Sequence, residues 1–257
     1  MREVDFYFFS GTGNTLLVVK EMTKVFKERG IQVTLHRLEK MNPLEVNLNR
    51  VIGLAFPVAV QGTYPFIWRF IESLPEADNT EVFIVDTLAY QSGGVEGVIK
   101  HILTRKGYRP IAFREIIMPS NLLPRRINAE KNKGKIRKGL EEARRYATDI
   151  LEGRGRWRDD PVSILISKIS RSEKTWKLFR RMISFKVDTD KCSNCKLCIQ
   201  LCPMGNISWN KYPVFDDKCV FCMRCISMCP TRAIHVPGKK IERYHAVTPM
   251  ELLNPTV

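Results

Sequence analysis

Val4-Asp5-Phe6-Tyr7-Phe8-Phe9-Ser10-Gly11-Thr12-Gly13-Asn14-Thr15 decides the fold of the larger part of this chain. Its aromatic run reads as a buried strand. Leu16, Val19, Met22, Val25 and Phe26 then recur at helical spacing until Gly30 supplies a stop. Between strand and helix lies a loop of glycines and hydroxyls. Glycine lets a ligand approach the backbone, and the amides at a helix N-terminus point at an anion, so the segment predicts a phosphate cradle. The plainer alternative is an ordinary turn capped by Asn14 or Thr15.

The pattern downstream favours the cradle. Strand-like runs recur at Gln32 to Leu35, Val51 to Phe56, Val82 to Asp86 and Ile111 to Met118, separated mostly by helical stretches. Such alternation predicts an α/β fold with a doubly wound parallel sheet. Ligands of these sheets bind beyond the carboxyl ends of the strands, here the loops Ser10 to Thr15, Pro57 to Tyr64 and Thr87 to Gly94.

All eight cysteines fall in two copies of one spacing, Cys192-x-x-Cys195-x-x-Cys198-x-x-x-Cys202-Pro203 and Cys219-x-x-Cys222-x-x-Cys225-x-x-x-Cys229-Pro230. That spacing is the signature of two iron–sulfur clusters, with the distant cysteine of each run serving the other cluster. Cys192, Cys195, Cys198 and Cys229 would hold one, and Cys219, Cys222, Cys225 and Cys202 the second. The copies match further at Val187/Val214, Asp190/Asp217, Lys191/Lys218, Ile199/Ile226 and Ile207/Ile234, so an internal duplication is the natural reading. Ile199, Leu201, Val220, Ile226, Ile207 and Ile234 are expected to form an apolar shell. A disulfide framework fits poorly, because the charged start Met1-Arg2-Glu3-Val4-Asp5 does not read as a signal peptide. Structural zinc sites usually pair Cys-x-x-Cys units across a longer spacer.

Residues 187 to 236 closely resemble bacterial-type ferredoxins with two 4Fe-4S clusters, and residues 3 to 152 resemble the flavodoxins. The second resemblance implies FMN, with Ser10, Thr12, Asn14 and Thr15, in a loop shared with Gly11 and Gly13, on its phosphate. Pro57, Val58, Ala59, Val60 and Gly62 would flank the ring on one side, and Leu88, Ala89, Tyr90, Gly93 and Gly94 on the other. Tyr90 is the expected stacking partner, and Gly62 or Gly93 the peptide tuning the flavin's one-electron properties. Together the halves resemble the flavodoxin and ferredoxin fusion proteins found mainly in anaerobic bacteria and archaea. Met118-Pro119-Ser120-Asn121 also looks like that group and is placed over the cofactor or in a simple turn.

The resemblance implies single-electron relay between FMN and two 4Fe-4S clusters, to or from a redox protein. The alternative is an FMN-dependent oxidoreductase acting on a small molecule or quinone. No acid/base or nucleophile motif stands out, so no catalytic residue is assigned; His36, His101, His235 and His245 are scattered and read as structural. The chain has 257 residues and a formal charge of +15, and residues 122 to 186 carry 19 Lys and Arg against 8 Asp and Glu. This excess suggests an acidic partner, with peripheral membrane contact as a lesser option and no nucleic acid expected. No run approaches membrane-spanning length, and a cytoplasmic location is expected. The expected organisation is a flavodoxin-like domain over 1–155, a basic amphipathic helix over 156–186 and a small α+β ferredoxin-like domain over 187–238. A tail follows over 239–257. The linker is read as one helix from Val162 to Ser184, with Leu165, Ile169, Ser172, Trp176, Phe179 and Ile183 on one stripe.

Overall fold

The computed structural model describes residues 3–90, 95–124, 126–157 and 163–255, with the side chains of 163–166 set aside. Gly93 and Gly94 lie outside the described residues, as does the side chain of Leu165. Five parallel strands, β1 (Glu3–Phe8), β2 (Gln32–Arg37), β3 (Val51–Pro57), β4 (Glu81–Leu88) and β5 (Arg109–Ile117), form a sheet of order β2-β1-β3-β4-β5. This is the order of flavodoxin-like sheets, with its switch point between β1 and β3.

The aromatic run of β1 shows how the layers arise. Successive side chains of a strand point to opposite faces, so Phe6 and Phe8 enter one apolar cluster while Tyr7 and Phe9 enter the other. On the Phe6 side lie α1 (Asn14–Glu28) and α4 (Ala129–Leu151), packed on each other. On the Tyr7 side lie α2 (Pro65–Glu72) and α3 (Val95–Arg105).

The basic segment departs from expectation. One continuous helix was expected, but the chain forms α5 (Ser163–Arg171) and α6 (Glu173–Met182), separated by Ser172 with an extended backbone. Hydroxyls and indoles make the joint. Trp68 Nε1 donates to Ser170 Oγ at 3.1 Å, and Trp176 Nε1 donates to the Ser170 carbonyl at 2.7 Å. Ser167 and Ser170 are therefore buried, whereas Ile169, expected on the apolar stripe, faces solvent. Gly62 shows how tightly α5 is seated, since a Cβ there would stand 2.0 Å from Ser170 Oγ.

The remaining elements are small. Strand β6 (Lys186–Val187) pairs antiparallel with β9 (Ile234–His235), and β7 (Ile207–Asn210) with β8 (Tyr212–Phe215). Helices α7 (Leu197–Leu201) and α8 (Arg224–Ser227) pack together, and α9 (Pro249–Leu253) closes the described chain. The expected shell forms: Leu201, Ile207, Val220, Ile226 and Ile234 are buried and Ile199 is partly so. Both apolar clusters of the sheet continue into this region, one through Trp176, Phe185 and Phe221 and the other through Leu201 and Met228. Among the described residues no helix is long and apolar enough to cross a membrane.

Candidate functional site

A cavity of about 470 Å³ opens at the carboxyl ends of the strands. Ser10, Gly11, Thr12, Asn14 and Thr15 form its polar end, and Pro57 to Gln61, Thr87 to Tyr90 and Pro119 to Leu122 form its sides. Gly13 begins α1 with φ +108°, a left-handed value that favours glycine. Ser10 Oγ accepts from the amides of Gly13 at 3.1 Å and Leu16 at 3.3 Å, which fixes the loop. The first-turn amides of Asn14 and Thr15 have no acceptor within an α-helix, so they suit an anion.

The polar side chains are held from behind. Asn121 Nδ2 donates to Thr12 Oγ1 at 3.0 Å, Asn14 Nδ2 donates to the Pro119 carbonyl at 2.8 Å, and Thr15 and Thr87 hydroxyls meet at 2.8 Å. Pro119 and Asn121 thus lie over the cavity, the first of the two expectations for that string. A polar cradle that opens into walls of Val58, Val60, Leu88, Val220 and Phe221 suits a planar ring carrying a phosphate.

The loop after β3 is a tight turn. Ala59 and Gly62 exchange backbone hydrogen bonds at 2.9 and 3.0 Å, with Val60 and Gln61 between them at φ +51° and +60°. Left-handed backbone is uncommon for a β-branched residue such as Val60. Gly62 itself stands behind the cavity wall, and its lack of a side chain serves the approach of α5. Tyr90 lies at the rim, 78% exposed, with Lys135 Nζ 5.1 Å above its ring. Tyr64 is buried, lines the cavity and also begins α2.

The cysteines gather around two small cavities. Cys192, Cys195, Cys198 and Cys229 line one small cavity, and Cys202, Cys219, Cys222 and Cys225 another, with Cys225 touching both. Among the described residues no three Cys, His, Asp or Glu side chains converge to hold a lone ion; each set surrounds a space instead. Amides point at sulfur from Asn206 to Cys202 at 3.2 Å and from Phe221 to Cys219 at 3.4 Å. Burial pushes the Cys198 and Cys219 thiols up to about 11 and Cys222 to about 12. At Cys229 burial works the same way, but hydrogen bonds from Ile234, Thr231 and Ala233 outweigh it and lower the value. Thiols raised in this way stay protonated at neutral pH until a metal displaces the proton.

The family model of the 4Fe-4S binding domain matches residues 185–208 and 212–235. The C-terminal region is a ferredoxin-type 4Fe-4S domain. With the flavodoxin-like sheet before it, the chain has the make-up of a flavodoxin and ferredoxin fusion. Solved structures similar to the N-terminal part include flavodoxin 2 from Bacillus cereus, 18% identical over 58% of this chain and 98% of that one, with a TM-score of 0.45. Two-electron reduced Megasphaera elsdenii flavodoxin is 22% identical over 55% and 98%, with a TM-score of 0.41. A flavodoxin from the domain Archaea is 12% identical over 58% and 96%, with a TM-score of 0.40. Among curated proteins none matches the chain.

The 4Fe-4S domain is part of the cavity beside the sheet. Val220 and Phe221, from between two of its cysteines, form one wall, and Trp176, Phe179 and Ile183 extend it. A Cβ on Gly11 would stand 2.6 Å from the Cys222 carbonyl, so the phosphate-type loop and the cysteine loop touch backbone to backbone. The last segment of the chain, expected only as a tail, returns to the same loop. Ala246 N donates to the Thr12 carbonyl at 2.7 Å, Tyr244 OH meets Asn14 Oδ1 at 2.6 Å, and Val247 packs against Gly13. Sequence reasoning missed Trp176, Phe179, Ile183, Val220, Phe221 and Tyr244 as neighbours of the cavity. One available signal was the contrast between the repeats, where Ser193 and Asn194 become Val220 and Phe221.

Proposed function

We propose that this protein relays single electrons between FMN, bound in the cavity above the sheet, and two 4Fe-4S clusters, to or from a redox protein. FMN supplies the ability to hold one or two electrons with the accompanying protons, while a cluster passes one at a time. In this reading Ser10, Gly11, Thr12, Gly13, Asn14 and Thr15 grip the phosphate. Pro57 to Val60, Leu88, Ala89 and Tyr90 border the ring, with Gly62 supporting the turn and Gly93 and Gly94 continuing the third loop. Cys219, Cys222, Cys225 and Cys202 hold the cluster nearer the flavin. Cys192, Cys195, Cys198 and Cys229 hold the outer one.

The observation that carries the reading is the shared wall, since Val220 and Phe221 belong at once to the flavin-type cavity and to a cluster-binding loop. Electrons could then pass between flavin and cluster within one chain. Exposure gives the order: Cys222 is buried beside this wall, whereas Cys195 is exposed. The decisive measurement is anaerobic laser-flash reduction of reconstituted protein, with iron and flavin quantified. Flavin and cluster absorbance should relax together at a rate independent of protein concentration. Independent relaxation, or a preparation lacking either group, overturns the proposal.

A further inference from the structure

Arg224 sits inside the second cysteine run, at the place held by Leu197 in the first. A leucine there packs in part against the apolar cluster around Phe8 and Met22. The arginine is only 1% exposed. Burying a guanidinium without partners costs several kcal/mol, and this one is enclosed by partners, all but one of them from the other half of the molecule. Its Nε donates to the Ser10 carbonyl at 2.9 Å, and its Nη1 to Glu39 Oε1 at 2.8 Å and the Leu201 carbonyl at 3.3 Å. Its Cζ lies 4.5 Å above the Phe9 ring. Glu39, itself 1% exposed at its side chain, also takes Arg37 at 3.0 Å.

We propose that Arg224 is a positioning residue that holds the Cys219–Cys225 loop against the phosphate loop and places a fixed positive charge beside the inner cluster. The inference rests on the relay reading above. Two consequences separate. The first is geometric: a peptide's C=O and N–H point in opposite directions, so drawing the Ser10 carbonyl toward Arg224 turns the Gly11 N–H away from it, within a loop that lines the cavity. The second is electrostatic, because the guanidinium is two residues from Cys222 and adjacent to Cys225 in sequence, in a dry setting where charges act strongly.

The test uses full-length protein carrying both kinds of cofactor, prepared anaerobically, and reads FMN release by fluorescence on dilution and the cluster potentials by EPR-monitored titration. Arg224→Leu copies the other repeat and should keep its iron. It should release FMN roughly tenfold faster, the size expected for one charge-assisted hydrogen bond, and move one of two cluster potentials to a more negative value. Glu39→Gln should move that potential in the opposite direction, which general loosening of the fold does not do. Arg224→Lys keeps the charge without the planar fork, so it should restore the potential and not the FMN release rate. Should the leucine variant lose iron, the lysine and glutamine variants decide. The idea is overturned if both leave the wild-type potential and release rate unchanged. Wild-type protein that loads no FMN or no iron would instead sink the relay reading.

Discussion

The loops around Cys195 and Cys222 share a backbone and differ in what they face. Asn194 and Lys196 adopt φ of +57° each, and their counterparts Phe221 and Met223 adopt +54° and +66°. The same left-handed conformations thus recur at matching positions of both copies. In the first, Ser193, Asn194, Cys195 and Lys196 are exposed; in the second, Val220, Phe221, Cys222 and Met223 are buried. The two runs therefore form similar sockets, and the side chains between their cysteines leave one facing solvent and the other packed into the wall of the cavity. Conserving the spacing of cysteines preserves the socket, while the residues between them decide its neighbour.

Removing iron should have the largest effect on this comparison. The small 4Fe-4S domain is too short to build a sizeable core, so in the proposed relay its bound clusters would act as staples. Chelation should expose both loops to protease, remove the cavity wall formed by Val220 and Phe221, and weaken FMN retention. Limited proteolysis with flavin fluorescence checks both parts. Unchanged FMN retention after complete iron loss would show that the inward loop contributes nothing to the flavin site.

Next comes the ion pair that only the inward loop possesses. Glu39→Gln leaves Arg224 buried with a weaker partner, and breaking such a pair costs about 3 kcal/mol, measurable as a lower urea midpoint. Burial works to raise the Glu39 carboxyl's pKa, but Arg224 and Arg37 outweigh it and hold it below the usual carboxylate range. A depressed folded value means that the contribution is complete above the unfolded value of about 4.3 and is lost as pH falls through the folded one. The stability gap between wild type and Glu39→Gln should therefore be widest near neutrality and close in acid. A gap that widens on acidification would contradict this sign.

Phe221→Asn makes the inward loop resemble the outward one at its most buried aromatic position. Loss of the ring from the cluster shared with Phe185, whose centroid lies 6.0 Å away, should cost about 3 kcal/mol. A charge reversal in the outward loop should have the smallest effect. Lys196 is exposed, its ammonium 5.0 Å above the Trp209 ring, so Lys196→Glu should alter the urea midpoint by no more than about 0.5 kcal/mol equivalent. Equal costs for the two changes would erase the distinction between the loops.

Much of this was legible in the sequence because it depends on local pattern. The five strands lie within a few residues of their expected positions, and the cysteines of both runs lie together around two small cavities. The break at Ser172 was not legible: a helical stripe continues through it, and the joint is made by Trp68 donating to the Ser170 hydroxyl and Trp176 to the Ser170 carbonyl. Arg224 and Tyr244 were missed for a related reason. Each acts on residues more than 200 positions away, and in isolation an arginine or tyrosine reads as surface. The repeat comparison contained a clue, since a loop beside a cluster rarely needs Val220, Phe221 and Arg224 together unless it meets another surface.

The stretch from Tyr244 to Val247 ties the two halves of the molecule together a second time. Val247 closes on Gly13 and Ala246 is hydrogen-bonded to Thr12, so the cradle at the start of α1 is shut from that side by residues more than 200 positions further along the chain. A substitution at Ala246 or Val247 should therefore be felt at the mouth of the cavity, although neither residue lines it.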